Sequence, residues 1–268
     1  MHVSPPEDKR IQTRLFDTAD ERKILSASEG VLRDLGFKLV ESEMDLGLIV
    51  GTQDRDAAKT GHILLAVILA GLNDTPTTYS QKIRISVVTS PGEENAKRTS
   101  VYVTFQRIVW DDYGRIHKIE RLNVPELYEG FFRKLSKAVG LKAHGSEYES
   151  FRSQVAAAQR GRVTFHNLQS RAFDTTDKVK TLRAVIAALQ DLGFVINKAD
   201  GVSGTVRATQ FDRYAVRIMV NVRSHGETQM YVRANAQYNF KSIEDPEPYL
   251  QFFATLEKAM HLTAHNVE

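Results

Sequence analysis

The sequence predicts an α+β fold made of two tandem β-α-β-β-β-β-α modules, each an antiparallel sheet with helices packed on one face. Three observations carry that prediction. Residues 12–37, QTRLFDTADERKILSASEGVLRDLGF, align without a gap with residues 169–194, QSRAFDTTDKVKTLRAVIAALQDLGF. The ends agree again, PELYEGFFRKLSKAVGLKAH at 125–144 against PEPYLQFFATLEKAMHLTAH at 246–265. Between them the apolar periodicity switches from helical to strand-like and back in both halves. Self-similarity of this kind marks a repeated structural unit.

Each element follows from one copy and is checked in the other. Arg14-Leu15-Phe16 and Arg171-Ala172-Phe173 read as short strands. Thr18, with Glu21 three residues on, is expected to form a capping box that satisfies free amides at a helix start. The second copy keeps Thr175 but has Lys178 in the other position. Ile24, Leu25, Val31, Leu32 and Leu35 recur at helical spacing, as do Leu182, Val185, Ile186, Leu189 and Leu192. Gly36 and Gly193 stop these helices where a left-handed residue is needed, and Phe37 and Phe194 supply the apolar contact that follows.

Strands come next at Phe37–Glu41 and Leu46–Thr52, and at Phe194–Lys198 and Gly204–Thr209, each pair joined by an acidic turn. Ile83–Val88 and Val101–Val109 form a hairpin around Pro91-Gly92. Val216–Val222 and Gln229–Asn239 repeat it around Gly226. Within these hairpins Ile83-Arg84-Ile85 matches Val216-Arg217-Ile218, and Tyr102-Val103 matches Tyr231-Val232. A final amphipathic helix starts at Pro125 or Pro246, a favoured first-turn residue. It presents Tyr128, Phe131, Phe132, Leu135 and Val139, or Tyr249, Phe252, Phe253, Leu256 and Met260. Sequential hairpins imply an antiparallel sheet, and two helices cover only one face of it.

The domain plan is a flexible tether at 1–11, a first module at 12–145, a linker at 146–167 and a second module at 168–268. Ser150–Gln159 is read as a helix within the linker. The first module carries an apolar insertion at 53–80, which includes Gly61-His62-Ile63-Leu64-Leu65-Ala66-Val67-Ile68-Leu69-Ala70-Gly71-Leu72. The second module crosses the same gap with Gln210-Phe211-Asp212-Arg213-Tyr214. A fold that closes without the insertion does not need it for its basic core. Three uses stay open: burial on its own sheet or the neighbouring module, contact with a partner or membrane surface, or closure of a lipid or small-ligand pocket. The contact residues expected on the second use are Ile63, Leu64, Leu65, Val67, Ile68, Leu69 and Leu72.

Hydrophobic residues make up 42% of the 268-residue chain and charged residues 26%, which places it with globular rather than disordered sequences. Lys plus Arg is 36 and Asp plus Glu is 33, spread over both halves, so the composition carries no basic footprint of a nucleic-acid binder. The absence of cysteine excludes disulfides, thiolate catalysis and Cys-based zinc sites. No run reaches the ~20 apolar residues of a membrane-spanning helix. The opening MHVSPPEDKR has no apolar h-region, so no signal peptide is expected at Met1.

Catalytic constellations do not emerge. The eight histidines are scattered, and none makes an H-E-x-x-H pair. His144 and His265 follow the last helix of each copy and are expected to interact with its free carbonyls. Asp54 and Asp56 lack the glycine and closing glutamate of a calcium loop. Asp111-Asp112-Tyr113-Gly114 reads as a turn. Asn73-Asp74-Thr75 matches a glycosylation acceptor pattern. Arg14/Arg171, Asp17/Asp174 and Asp34/Asp191 recur in both copies, which favours capping or surface pairing over a ligand site.

The phrases QTRLFDTADERKIL…VLRDLGF, VYVTFQRIVW and PELYEGFFRKLSKAV resemble a group of Gram-negative bacterial lipoproteins of uncharacterised function. The resemblance covers residues 5–265. Such proteins carry a cleaved signal peptide and a lipidated cysteine just before a segment like Val3-Ser4-Pro5-Pro6-Glu7-Asp8-Lys9. This chain has Met1-His2 there, and is read as a soluble form without the lipid site. The module plan is also similar to the paired helix-grip modules of the lipoprotein C component of the outer-membrane protein assembly machine. Tandem repeats of this strand order occur in the TATA-box-binding saddle too, but its intercalating aromatics and basic concave face are not recognisable in the sequence.

The expectation is a non-enzymatic envelope lipoprotein, periplasmic and anchored at the outer membrane of Gram-negative bacteria. It would act as an adaptor or scaffold in a membrane-associated complex. The expected partners are envelope proteins, and the membrane through an N-terminal lipid. No nucleic acid, cofactor or metal is expected. A single lipid anchors weakly, so a second contact is physically sensible, and an exposed strand edge offers one mode. The alternative is a hydrophobic small-molecule or lipid-binding protein, with its ligand between sheet and long helix near Phe131, Phe132, Phe252 and Phe253.

Overall fold

The computed structural model describes residues 10–54, 80–91, 97–114, 116–145, 169–211, 215–238 and 241–265. The chain is a mixed α+β protein with two antiparallel sheets. It divides into two compact units, one within Glu7–Ser146 and one within Glu147–Glu268. Residues 1–9 of the tether, the linker and the apolar run Ile63–Leu72 lie outside the described residues, while Arg10 and Ile11 are helical and Ile11 packs against the first core.

The first unit runs β1 (Thr13–Phe16), α1 (Glu21–Asp34), β2 (Lys38–Glu43), a 3-10 turn (Met44–Leu46), β3 (Leu48–Asp54), β4 (Ser80–Pro91), β5 (Thr99–Trp110), β6 (Ile116–Arg121), α2 (Pro125–Val139) and β7 (Ala143–Gly145). Its sheet order is β2-β3-β4-β5-β1-β7, with β6 also paired to β5. The edge of β5 is shared: β1 takes Thr99–Tyr102 and β6 takes Gln106–Trp110. The turn expected at Asp111–Gly114 joins β5 to β6, with the Gly114 amide donating to the Asp111 carbonyl at 3.0 Å. Neither β6 nor β7 was expected. Half or more exposed and alternating only weakly, Ile116-His117-Lys118-Ile119-Glu120-Arg121 sends little periodic signal.

The second unit runs β8 (Ser170–Phe173), α3 (Lys178–Asp191), β9 (Val195–Asp200), β10 (Thr205–Phe211), β11 (Ala215–His225), β12 (Gln229–Tyr238), β13 (Lys241–Ser242) and α4 (Glu247–His265). Its sheet order is β9-β10-β11-β12-β13, with β8 on β12. Thr13 pairs with Tyr102, whereas Ser170, its aligned counterpart, pairs with Arg233. By position in the ladder, Tyr102 therefore corresponds to Arg233, two residues beyond the Tyr231 chosen by sequence likeness.

The helices start differently from expectation. Thr18 is not the cap. Asp20 caps α1, its carboxylate accepting from the Lys23 amide at 2.9 Å, and Asp177 caps α3 through the Lys180 amide at 2.9 Å. Thr18 and Thr175 instead accept from the amides of Asp20 and Asp177, which orients the cap residues. Glu21 accepts from the Thr89 hydroxyl at 2.9 Å. Asp20→Ala is expected to cost about 1 kcal/mol, read as a lower urea midpoint with an unchanged slope. An unchanged midpoint would show that Thr18 caps in its place.

The helix ends hold one instructive difference. Gly140, at φ 71°, ends α2 in a left-handed cap, and the chain turns into β7. The aligned position of the second copy is His261, and α4 continues through it to His265. A side chain disfavours the left-handed stop that glycine accepts freely.

The helix pairs cover one face of each sheet. In the first unit Ile24, Leu25, Leu32, Phe131, Phe132 and Leu135 meet Ile83, Ile85, Val87, Val101, Val103 and Phe105 in one apolar cluster. Tyr128 stands edge-on to Phe105, with centroids 5.2 Å apart, and its hydroxyl donates to the Leu122 carbonyl at 2.8 Å. In the second unit the Tyr249 hydroxyl donates to the Ile243 carbonyl at 3.0 Å.

Candidate functional site

Alternation along a strand puts every second side chain on the face away from the helices. In the first sheet, register places Thr52, Arg84, Gln106 and Arg121 in one row across β3, β4, β5 and β6. Val50, Ser86 and Thr104 form the next row, and Leu48, Val88 and Tyr102 the one after. An antiparallel sheet often leaves this face in water. Here Leu48, Val50, Ser86, Thr104 and Gln106 are all buried.

Burial without pairing is the unusual feature of this face. The Nε of Arg84, the hydroxyls of Ser86 and Thr104, and both amide atoms of Gln106 are enclosed and make no hydrogen bond. Buried polar groups are normally satisfied, and each exception costs about 1–3 kcal/mol. Burial also lowers the pKa of Arg84. At the helix-side end of the same strands, Arg107 is buried too, but it is paired with Glu120, which also meets Lys118 at 2.7 Å.

The second sheet treats its far face in the opposite way. Lys198, Arg207, Met219 and Asn235 form one row, and Asp200, Thr205, Asn221 and Arg233 the next. Arg223 and Tyr231 follow, with the guanidinium 5.0 Å from the ring centroid. Lys198, Arg207, Arg223 and Arg233 are exposed. Asp200 is turned to its own loop, accepting from the Ser203 amide at 2.8 Å, a bond that holds its pKa down. The result is a basic, polar, solvent-facing surface. A net charge of +3 hides it, because its bases are separated in sequence and gathered only by register.

The residues singled out by sequence fall elsewhere. Phe131, Phe132, Phe252 and Phe253 are 0–3% exposed and lie in the cores, each adjacent pair edge-to-face at 5.6 and 5.1 Å. Arg14 lies over the Phe132 ring at 5.1 Å and Arg171 over Phe253 at 5.2 Å. Asp17 pairs with Arg98 at 2.8 Å and with His144 at 3.0 Å, while Asp174 accepts from Gln229 at 2.6 Å. His144 thus meets a carboxylate rather than helix carbonyls, since β7 carries it alongside β1. Ile63, Leu64, Leu65, Val67, Ile68, Leu69 and Leu72 lie outside the described residues.

Among the described residues, no helix is long and apolar enough to cross a membrane, and no group of three or more His, Asp or Glu stands where it would hold a metal ion. No family model matches the chain, and no curated protein matches it.

Proposed function

We propose that the chain is a non-enzymatic envelope lipoprotein, tethered at the periplasmic face of the outer membrane, that acts as an adaptor in a membrane-associated complex. Its two units are read as copies of one β-α-β4-α helix-grip module. Shared devices support that reading: the Asp20 and Asp177 caps, the Arg14 and Arg171 ring contacts, and the Tyr128 and Tyr249 hydroxyl bridges.

The observation that carries the adaptor role is the exposed basic face of the second sheet. Arg207 and Arg233 stand exposed on it, and among the described residues neither is in an ion pair. A like-charged open surface favours association with a partner of opposite charge and speeds the encounter. The partner is therefore an envelope protein with an acidic docking surface. The apolar run supplies a second contact, with the partner or the membrane, through Ile63, Leu64, Leu65, Val67, Ile68, Leu69 and Leu72.

Crosslinking pull-down from the source envelope tests both contacts. Wild type is compared with Arg207→Glu/Arg233→Glu and with Leu65→Asp/Ile68→Asp, all at matched melting temperature. Loss of one specific envelope protein in the charge-reversed form is expected, with at least a tenfold fall in yield. Retention of every partner by that form removes the basic face from the role. Capture of single-stranded RNA in preference to any envelope protein would overturn the adaptor reading.

A further inference from the structure

β1 and β8 align in sequence but differ in pairing. β1 is paired on both sides, by β5 and by β7. β8 is paired by β12 on one side, and among the described residues no strand takes the other. The helix ends account for the difference. Gly140 lets the first copy turn back into β7, whereas α4 carries the aligned Ala264 and His265 onward as helix. Exposure follows the pairing. Phe16 is buried and Leu15 half-buried, while Phe173 is half-buried and Ala172 exposed.

The open edge presents backbone that is ready to pair. The Gln169 carbonyl accepts from the Ala234 amide at 2.8 Å, so Gln169 is turned to β12. Alternation turns Arg171 and Phe173 the same way, and it points the N–H and C=O of Ser170 and Ala172 outward. Their counterpart in β1, Leu15, stands opposite His144 of β7. An edge of this kind is a template for another strand. The helix side is arranged as it is where β7 binds. Arg171 lies over Phe253 as Arg14 lies over Phe132, and β7 passes Arg14 and Phe16 with the small residues Gly145 and Ala143.

The charges beside the two edges give a second, independent observation. Asp17 is met by Arg98 at 2.8 Å and by His144 at 3.0 Å. Its match, Asp174, accepts from the neutral Gln229 at 2.6 Å. Gln229 precedes the residue opposite Phe173, just as Arg98 precedes the residue opposite Phe16. Asp174 is exposed, and among the described residues it is in no ion pair. A side chain opposite Ala172 projects from the same face as Asp174, where His144 stands in the first sheet.

We propose that the outer edge of β8 binds an extended segment of a partner protein, antiparallel, with a cationic side chain opposite Ala172 that pairs with Asp174. A small residue flanks the cation on either side. The pattern is that of Ala143-His144-Gly145 on β1. The β8 strand of a second copy lacks it, since Ser170 and Ala172 are the residues that it would bring to that face. The edge is a contact beyond the basic sheet face and does not depend on the adaptor reading.

The test uses the full 268-residue chain and a synthetic peptide of residues 141–147, LKAHGSE, carrying His144→Lys so that the cation is fixed at neutral pH. Nuclear magnetic resonance reads amide shifts and hydrogen exchange. Exchange at Ser170 and Ala172 should be fast in the free chain and slow with peptide, at one peptide per chain. Methylating the peptide nitrogen at position 144 removes the central strand donor and should weaken binding about tenfold or more. Asp174→Asn should weaken it about threefold, the scale of an exposed ion pair. Ala172→Pro should fold, because its N–H points away from β12, and should bind no peptide. If it does not fold, the methylated peptide carries that arm. Equal binding of the methylated peptide, or no binding at all, overturns the proposal. Equal binding by Asp174→Asn overturns the choice of a cation. Amides at Ser170 and Ala172 already protected in the free chain, by its own end or by a second copy, overturn the choice of occupant. The envelope pull-down alters Arg207 and Arg233 on the sheet face, so the two readings fail separately.

Discussion

Gly204→Ala should be among the most damaging single substitutions in the chain, costing about 4 kcal/mol or more. Gly204 precedes β10 at φ 72°, and an added Cβ would stand 2.2 Å from the Val222 carbonyl oxygen. That carbonyl belongs to β11, and the Val222 amide donates to the Gly204 carbonyl at 2.7 Å. The two backbones are bonded at this point and cannot separate without losing the β10–β11 register. A left-handed alanine alone costs about 1–2 kcal/mol; the collision adds the rest. The same arrangement occurs before β3. Gly47, at φ 67°, accepts from the Thr89 amide at 2.8 Å, and a Cβ there would meet the Thr89 carbonyl at 2.7 Å. Gly140 is the control, since its φ is 71° but a Cβ would meet nothing within 4 Å. Urea denaturation should rank the losses Gly204→Ala, then Gly47→Ala, then Gly140→Ala. Equal losses at Gly204 and Gly140 would show that the strand pair relaxes and that only backbone strain matters.

These two glycines also show what the sequence made legible. Gly36 and Gly193 stand out because each ends a periodic apolar run and precedes phenylalanine, so the helix stops are readable locally. Gly47 and Gly204 lie in short acidic turns with no such frame. Their purpose depends on a strand many residues away, and only the ladder shows it. The caps were missed for a related reason. Thr18 and Asp20 are both good cap residues, and the choice turns on which amide is within reach of which oxygen.

The core was legible because it rests on periodicity: every aromatic placed on the long-helix faces is buried. The two far faces were not. Arg84 and Arg217 occupy matched sequence positions, each between two β-branched apolar residues, yet one lies on an enclosed face and the other on a face crowded with exposed bases. Burial of the far side of a sheet is a tertiary event, and alternation along a single strand carries no information about it. The basic surface is hidden for the same reason. Lys198, Arg207 and Arg233 look like ordinary outward residues of separate strands until pairing brings them together.

Alkaline unfolding should be steeper in wild type than in Tyr128→Phe. Burial raises the Tyr128 phenol well above the ordinary tyrosine range. The folded chain keeps this hydroxyl protonated at a pH where the unfolded chain ionises it. Stability from the group is therefore complete below the unfolded pKa of about 10, and is lost as pH rises from there toward the folded value. In that window the slope approaches about 1.4 kcal/mol per pH unit. At pH 7 the variant should be the weaker protein by about 1 kcal/mol, because the hydroxyl no longer donates to the Leu122 carbonyl. Above pH 10 the gap should narrow and then reverse, since phenylalanine has no proton to lose. Urea midpoints at pH 7, 9 and 11 test the crossing. Curves that stay parallel would mean that the folded chain admits water to the hydroxyl. In that case the contact between Tyr128 and Phe105 would no longer count as closed core, and the α2–β5 seam would become a further place to look for a ligand.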